Sequence, residues 1–435
     1  MPIRGEPFEF SDKDNKALIL KGYKIYSESI LSKGEKNYFL VDKDLKTYLV
    51  SNDDKFGLPI ENISSFGIYE KSHSNALRLR KLFKHLNPQP SGLKKSFGFG
   101  DRLGLATSGH VGALGKHEIF PIFAQQSIRE LQKTGRKVEE VIDDAMWGVF
   151  QAGYKNGYGA DIDHVKDEKD IIRAVSCGYT MYTIDSSDYL KHGEKDLPKA
   201  IKHITALYNV LKGRASLPFD FEVSIDETNI PTTPSVHVFI VEKLRRNKVE
   251  FTSLALRFVG EFEKGIDYIG SLKAFKKDFL AHVGICKRYG GYKLSIHSGS
   301  DKFSIYPIIG KGSEVFHVKT SGTSWLEAVR LISRKDPRLF RSLYQVAIDN
   351  FGESRRAYHI TTTLDKIPDI NKLSDKVFPG FLNDNAIRQL LHISYGIILK
   401  NLKKEIYSIL NLYKEEYYQM LENHLGRHLD LLGVK

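Results

Sequence analysis

Cysteine is nearly absent from this chain: Cys177 and Cys286 are the only two, and both fall in segments with helical patterning. Two isolated thiols exclude a disulfide framework and point to a reducing, cytoplasmic setting. Long hydrophobic runs are missing as well. No stretch approaches the roughly 20 apolar residues that span a bilayer, so no membrane partner is expected. The opening MPIRGEPFEF lacks an apolar core, and no signal peptide is expected there. Nucleotide-binding signatures are also missing. After Gly98-Phe99-Gly100, Leu103 stands where the third glycine of a dinucleotide loop belongs, and G-x-x-x-x-G-K-[ST] does not occur.

The charge is one-sided, with a net +12, but it is diffuse. Its clusters are no larger than Lys94-Lys95, Lys276-Lys277 and Lys403-Lys404. There is no basic arm, zinc finger or RNP-like aromatic motif, which argues against nucleic acid. A diffuse positive field instead draws small anionic substrates.

What is present suffices for a large core: 41% of the 435 residues are hydrophobic, a length that suits one main domain with appendages. Residues 1–90 read as a small α+β extension. NYFLVDKDLKTYLVSND suggests a hairpin about Lys43 to Lys46, and HSNALRLRKLFKHL a short helix. NPQPSG (87–92) is the expected linker. Residues 91–350 then alternate apolar runs with helical segments. The runs are SFGFGD (96–101), IFPIFAQ (119–125), GADIDHV (159–165), YTMYTID (179–185), FEVSID (221–226), SLALRFVG (253–260), YKLSIHS (292–298) and VFHVKTSG (315–322). Eight strands separated mostly by helices predict an α/β fold, a (β/α)8 barrel of the TIM type, with a doubly wound sheet as the rival.

Two connections fit less well: 101–119 shows no convincing helix, and AYHITTTL (357–364) reads as a possible further strand. Ser127 with Glu130 and Ser324 with Glu327 have capping-box spacing, and Gly213 stands as a helix C-cap. Residues 351–435 read as mostly helical, packing on the barrel or serving a homo-oligomer interface.

In a parallel barrel the chemistry collects at the C-terminal ends of strands. Those ends carry Asp101 and Arg102, then Asp161, Asp163 and His164, then Asp185 and Asp188, then Asp226 and Glu227. They continue with Arg257, Glu261 and Glu263, then His297, Asp301 and Lys302, then His317 and Lys319. Three strand-end imidazoles, His164, His297 and His317, suit a divalent cation with coordination positions left for substrate. Asp163 and Glu261 stand as acid and base. Arg102, Arg257, Asp301, Lys302 and Lys319 stand as substrate-binding groups, the cations for a carboxylate or phosphate.

The blocks FGFGDRLGLATSGH, MWGVFQAGYKNGYGADIDHVK, SIDETNIPTTPSVH, RFVGEFEKGIDYIG and KLSIHSGSDKFSIYP, followed by HVKTSGTSWLEA, resemble the tagaturonate epimerase family from about Ser96 to Arg330. The resemblance implies a metal-dependent enzyme (Mn, Ni, Co, Zn or Mg) that interconverts D-tagaturonate and D-fructuronate in hexuronate breakdown. It places His164, His297 and His317 as metal ligands. Asp163 and a glutamate of GEFEKG form the acid/base pair, with Glu261 preferred over Glu263. A metal-dependent aldolase or ketose isomerase acting on a sugar acid is the alternative within enzymes. A sugar- or nucleic-acid-binding protein without chemistry is the alternative outside them.

Overall fold

Eight parallel strands close on themselves in the computed structural model, which describes residues 12–190, 193–228 and 230–435. Earlier in the chain stands an antiparallel sheet. Its strands are β1 (Lys24–Lys33), β2 (Lys36–Lys43), β3 (Lys46–Ser51), β4 (Glu61–Ile63) and β5 (Phe66–Tyr69), in the order β1-β2-β3-β5-β4. The expected hairpin joins β2 to β3. Asp44 and Leu45 both take positive φ there, as a two-residue turn matched to strand twist requires. Phe39, Val41, Val50 and Ile68 bury a small core with Leu18 and Tyr23. The chain divides into two compact units, Met1–Asn87 with Met146–Asn156, and Pro88–Ala145 with Gly157–Lys435.

The barrel strands are β6 (Ser96–Phe99), β7 (Phe120–Ser127), β8 (Gly159–Val165), β9 (Met181–Asp185), β10 (Asp220–Ser224), β11 (Ser253–Ala255), β12 (Lys293–Ile296) and β13 (Phe316–Thr320). β13 pairs back to β6 through His317 opposite Ser96 and Lys319 opposite Gly98, which closes the ring. All eight apolar runs become strands, and the fold is the (β/α)8 barrel expected from them.

Barrel interiors are commonly filled by branched aliphatic side chains. This one buries Asp161, Thr183, Glu222, Ser253, Lys293 and Lys319. Lys293 donates to Ser91 Oγ, Ser96 Oγ and the Lys94 carbonyl. The Ser91 and Gly92 amides donate to Asp220 at the start of β10. The proline-rich stretch 87–92 therefore ends by closing the barrel floor.

Several connections depart from expectation. The 101–119 segment contains a helix, Thr107–Leu114, hidden in the sequence by its glycines, which are poor helix formers. One of these has a packing reason: a Cβ on Gly109 would lie 3.0 Å from the Tyr418 backbone of the C-terminal helix Lys414–Leu432. That helix also presses on the helix Tyr306–Gly312, where a Cβ on Gly310 would meet the Leu432 carbonyl at 1.8 Å. The Ser127–Glu130 capping box forms. Ser324 and Glu327 form none, because their helix already begins at Thr323. Ser324 Oγ instead meets His110 Nε2 at 2.8 Å. The helix Leu197–Arg214 runs one residue past Gly213, and 357–364 holds no strand. Among the described residues, no helix is long and apolar enough to cross a membrane.

Burial keeps several histidines neutral. It lowers His110 to about 4 and His428 to about 3 against the pull of Asp101 and Asp301, and His237 to about 3 with His282 adding to it. Unfolded histidine binds its proton near pH ~6.5. Between these values the unfolded chain holds more protons than the folded one, so stability rises with pH and is lost as pH falls through the window. The urea midpoint is expected to drop steadily from pH 7 toward pH 4.5. A flat midpoint across that range would contradict this.

Candidate active site

A break in regular pairing sets up the site. The register of β8 against β9 slips between Ile162 and Val165, and His164 takes φ 58°. Left-handed backbone is uncommon for a residue with a side chain. A regular strand sends neighbours to opposite faces. Here the bulge lets both Asp163 and His164 line one cavity. After β12 the chain repeats the device: His297 faces the same cavity and Ser298 takes φ 53°.

The cavity has a volume of about 840 Å³ and lies over the C-terminal ends of the strands. In its wall the ligand atoms of His164, Asp226 and His297 all lie within 4.8 Å of one another. His164 Nδ1 stands 2.9 Å from Asp163 Oδ1, and His297 Nδ1 stands 3.0 Å from Asp226 Oδ1. Both nitrogens are nevertheless buried without a hydrogen-bond partner. Orphaned imidazole nitrogens facing carboxylate oxygens at that range are what a shared divalent cation would satisfy. The residues fit such an ion.

Beneath them lies a buried ionic network. Lys319 Nζ reaches Asp161 and Asp163 at 2.7 Å, Glu222 at 2.9 Å and Thr183 Oγ1 at 2.6 Å. Glu222 Oε1 in turn meets His297 Nε2 at 2.7 Å, and Glu222 Oε2 accepts from Ser253 Oγ at 2.7 Å. Burial alone would lower His297, but Asp226 and Glu222 outweigh it and lift it to about 10. Burial is likewise outweighed at His164, where Asp163 lifts the imidazole to about 9. Asp163, Asp226 and Glu222 are held well below the usual carboxylate range by these cations despite burial. Asp161 moves the other way, to about 7, because burial and the Asp163 and Glu222 charges outweigh its share of Lys319. One cation serves three carboxylates, and Asp161 is the one left short.

The structure brings His164, His297, Asp163, Glu261, Arg102, Arg257 and Lys319 to this cavity. It does not bring His317 there. Ser295 and Ser96 are its register partners, whereas Lys319 is the next inward residue of β13. The strand period therefore places His317 one layer, roughly 6.6 Å, deeper. There Ser96 Oγ meets its Nδ1 at 2.9 Å, and burial lowers it to about 3. Asp226, and not His317, lies grouped with His164 and His297.

Lys319 is committed to the network rather than open to substrate, and Arg102 is engaged with Glu130 at 2.7 Å and the His392 carbonyl. Asp301 and Lys302 are buried outside the cavity wall. Asp301 pairs with Arg388 and His424, and Lys302 Nζ donates to the carbonyls of Glu263, Ile266 and Ser300.

These contacts brace the loop after β11, which a pair of backbone bonds between Glu261 and Ile269 folds back on itself. Glu263 is buried within it, accepting from Thr361 and Gln389, whereas Glu261 lines the cavity beside Arg257 at 2.8 Å.

Asp226 was named at a strand end but given no role, and Glu222 and Arg129 were not singled out by sequence reasoning. A carboxylate alternating inside the apolar run FEVSID was the available signal for Glu222. Arg129 reaches Glu227 at 3.2 Å, and Glu227 lies 3.7 Å from His164.

Comparison with known proteins agrees with this architecture. The sequence profile of the tagaturonate epimerase family matches residues 26–199 and 196–432. A tagaturonate/fructuronate epimerase of Thermotoga maritima is 42% identical over 470 residues, covering 95% of this chain and 97% of that protein. Crystal structures of a fructuronate-tagaturonate epimerase from Cohnella laeviribosi superpose with TM-scores of 0.92 for a one-glycerol complex and 0.89 for the native enzyme. Each is 37% identical, covering 97% of this chain and 99% of that one. This chain belongs to the tagaturonate epimerase family, a family of carbohydrate epimerases.

Proposed function

We propose that this chain interconverts D-tagaturonate and D-fructuronate, the reaction for which its relatives are named, with a divalent cation held by His164, Asp226 and His297. The observation that carries the reading is the convergence of those three side chains with Asp163 and Glu261 in one cavity. We assign the chemistry to residues 91–350, with 1–90 as an extension and 351–435 as a helical region, and the setting to the cytoplasm, in keeping with two free cysteines.

The inverted carbon, C4, lies β to the C2 ketone. Removing its hydrogen would leave a carbanion with no adjacent carbonyl, so direct proton abstraction is disfavoured. Breaking the C3–C4 bond is easier. A carboxylate takes the C4 hydroxyl proton, and C4 becomes an aldehyde. The C3–C4 electron pair then passes to the ketone as an enediolate. The aldehyde turns, the enediolate adds to its other face, and the new hydroxyl recovers the proton. The cation, when bound, supplies Lewis acidity toward the ketone and hydroxyl oxygens.

Asp163 and Glu261 are suited to the proton transfers because each has one oxygen held and the other open. The contacts of Asp163 from Lys319 and His164 both fall on Oδ1, and those of Glu261 from Arg257 and His359 both fall on Oε2. Each carboxylate is thereby fixed in orientation without losing an acceptor.

Proton NMR of D-fructuronate in D2O tests this, first with chelator-stripped protein and then with Mn2+ restored. Tagaturonate is expected only with the cation, with protium retained at C4. Deuterium at C4 would replace the bond-breaking route with proton abstraction. Accumulating three-carbon fragments would indicate an aldolase, and no conversion with any divalent cation would end the epimerase reading.

A further inference from the structure

We infer that Lys264 is the specificity-determining residue that pairs with the carboxylate of the sugar acid. The inference rests on the functional reading above and names how that site tells an anionic hexulosonate from a neutral ketohexose.

Six lysines and arginines line the cavity. Among the described residues, five have carboxylate partners. Arg102 has Glu130, Arg129 has Glu227, Lys166 has Asp185 and Asp188, Arg257 has Glu261, and Lys319 has three of its own. Lys264 has none. Its ammonium donates only to the neutral Ser298 Oγ, at 2.6 Å. Ser298 directly follows His297, so this charge stands beside the proposed cation site. A half-buried ammonium with no counter-ion is an anion site awaiting its anion.

The loop that carries Lys264 is held rigid. Glu263 is tied to Thr361 and Gln389. Lys302 grips the Glu263 and Ile266 carbonyls, Arg388 Nε donates to the Gly265 carbonyl at 2.7 Å, and Asp267 accepts from Ser304. The ammonium is thus placed before substrate arrives, which limits the ordering cost of binding. The 261–269 loop brings a proton carrier, Glu261, and an anion clamp, Lys264, to one mouth. Asp301 and Lys302, expected as substrate contacts, serve that loop from behind.

The test compares the wild type with Lys264→Met and Lys264→Arg. In Lys264→Met the KM for D-fructuronate is expected to rise roughly tenfold to a hundredfold, the worth of a charge-assisted hydrogen bond, with kcat moving far less. Lys264→Arg recovers part of the loss. The inhibition constant of D-tagatose, the neutral counterpart of the product D-tagaturonate, stays unchanged in both variants. If D-tagatose weakens by the same factor, Lys264 shapes the loop and the inference fails. An unchanged KM overturns it equally. A wild type that turns over no D-fructuronate would refute the functional reading. Calorimetric titration of D-fructuronate into the same proteins would still decide Lys264.

Discussion

Replacing Lys319 with methionine is expected to lower folding stability by about 3–5 kcal/mol, the usual consequence of removing one partner of a buried ionic group. Methionine fills a similar volume, so the loss is of charge and not of packing. The variant leaves Asp161, Asp163 and Glu222 facing one another with no cation among them except the imidazoles of His164 and His297. Asp163 and Glu222 also stand against His164 and His297, so the same change loosens both imidazoles. Urea unfolding of the wild type and Lys319→Met, without substrate, checks the prediction. A lysine that served substrate would show the reverse pattern, with normal stability and a raised KM.

The second large effect separates two glutamates two residues apart. Glu261→Gln keeps the shape of the side chain and its place beside Arg257 but cannot take a proton. It is expected to lower kcat by about 10²–10⁴ while leaving the unfolding midpoint near that of the wild type. Glu263→Ala is expected to act on the fold. It strips the acceptor from the Thr361 amide and hydroxyl and from the Gln389 amide, which costs about 1–3 kcal/mol for a buried donor left unpaired. Turnover and unfolding curves on both variants decide the matter. Equal loss of kcat with stable folds in both would mean that position in the loop, and not the open oxygen of Glu261, sets the role.

Much of this protein is written in local pattern. Buried parallel strands need short apolar runs, and eight such runs separated by helical segments were sufficient for the barrel. Because loops at the strand ends converge, the sequence positions of His164, Asp163, Glu261 and His297 sufficed to bring them to one cavity. The helix Thr107–Leu114 was not legible, since one of its glycines, Gly109, answers to the backbone of a helix more than 300 residues away. His317 shows the limit most directly. Its sequence position beside a strand end is as good as that of His297, but the two-residue pleat sets it a layer below the mouth, and no local pattern reports depth inside a barrel.

Pairing across the fold is the other thing that only the tertiary structure decided. Asp226 and Glu222 become site residues because they meet His297, which lies more than 70 positions away. Lys302 and Asp301 look like a binding turn, yet their partners are the carbonyls of another loop and the side chains of C-terminal helices. Lys264 reads as one lysine among many. Only the assembled cavity shows that every other lining lysine or arginine has found its carboxylate and this one has not. Sequence determines which elements form, because hydrophobic period and capping act within a few residues. Which charges are satisfied depends on neighbours brought from far along the chain, and that is decided by the closed barrel.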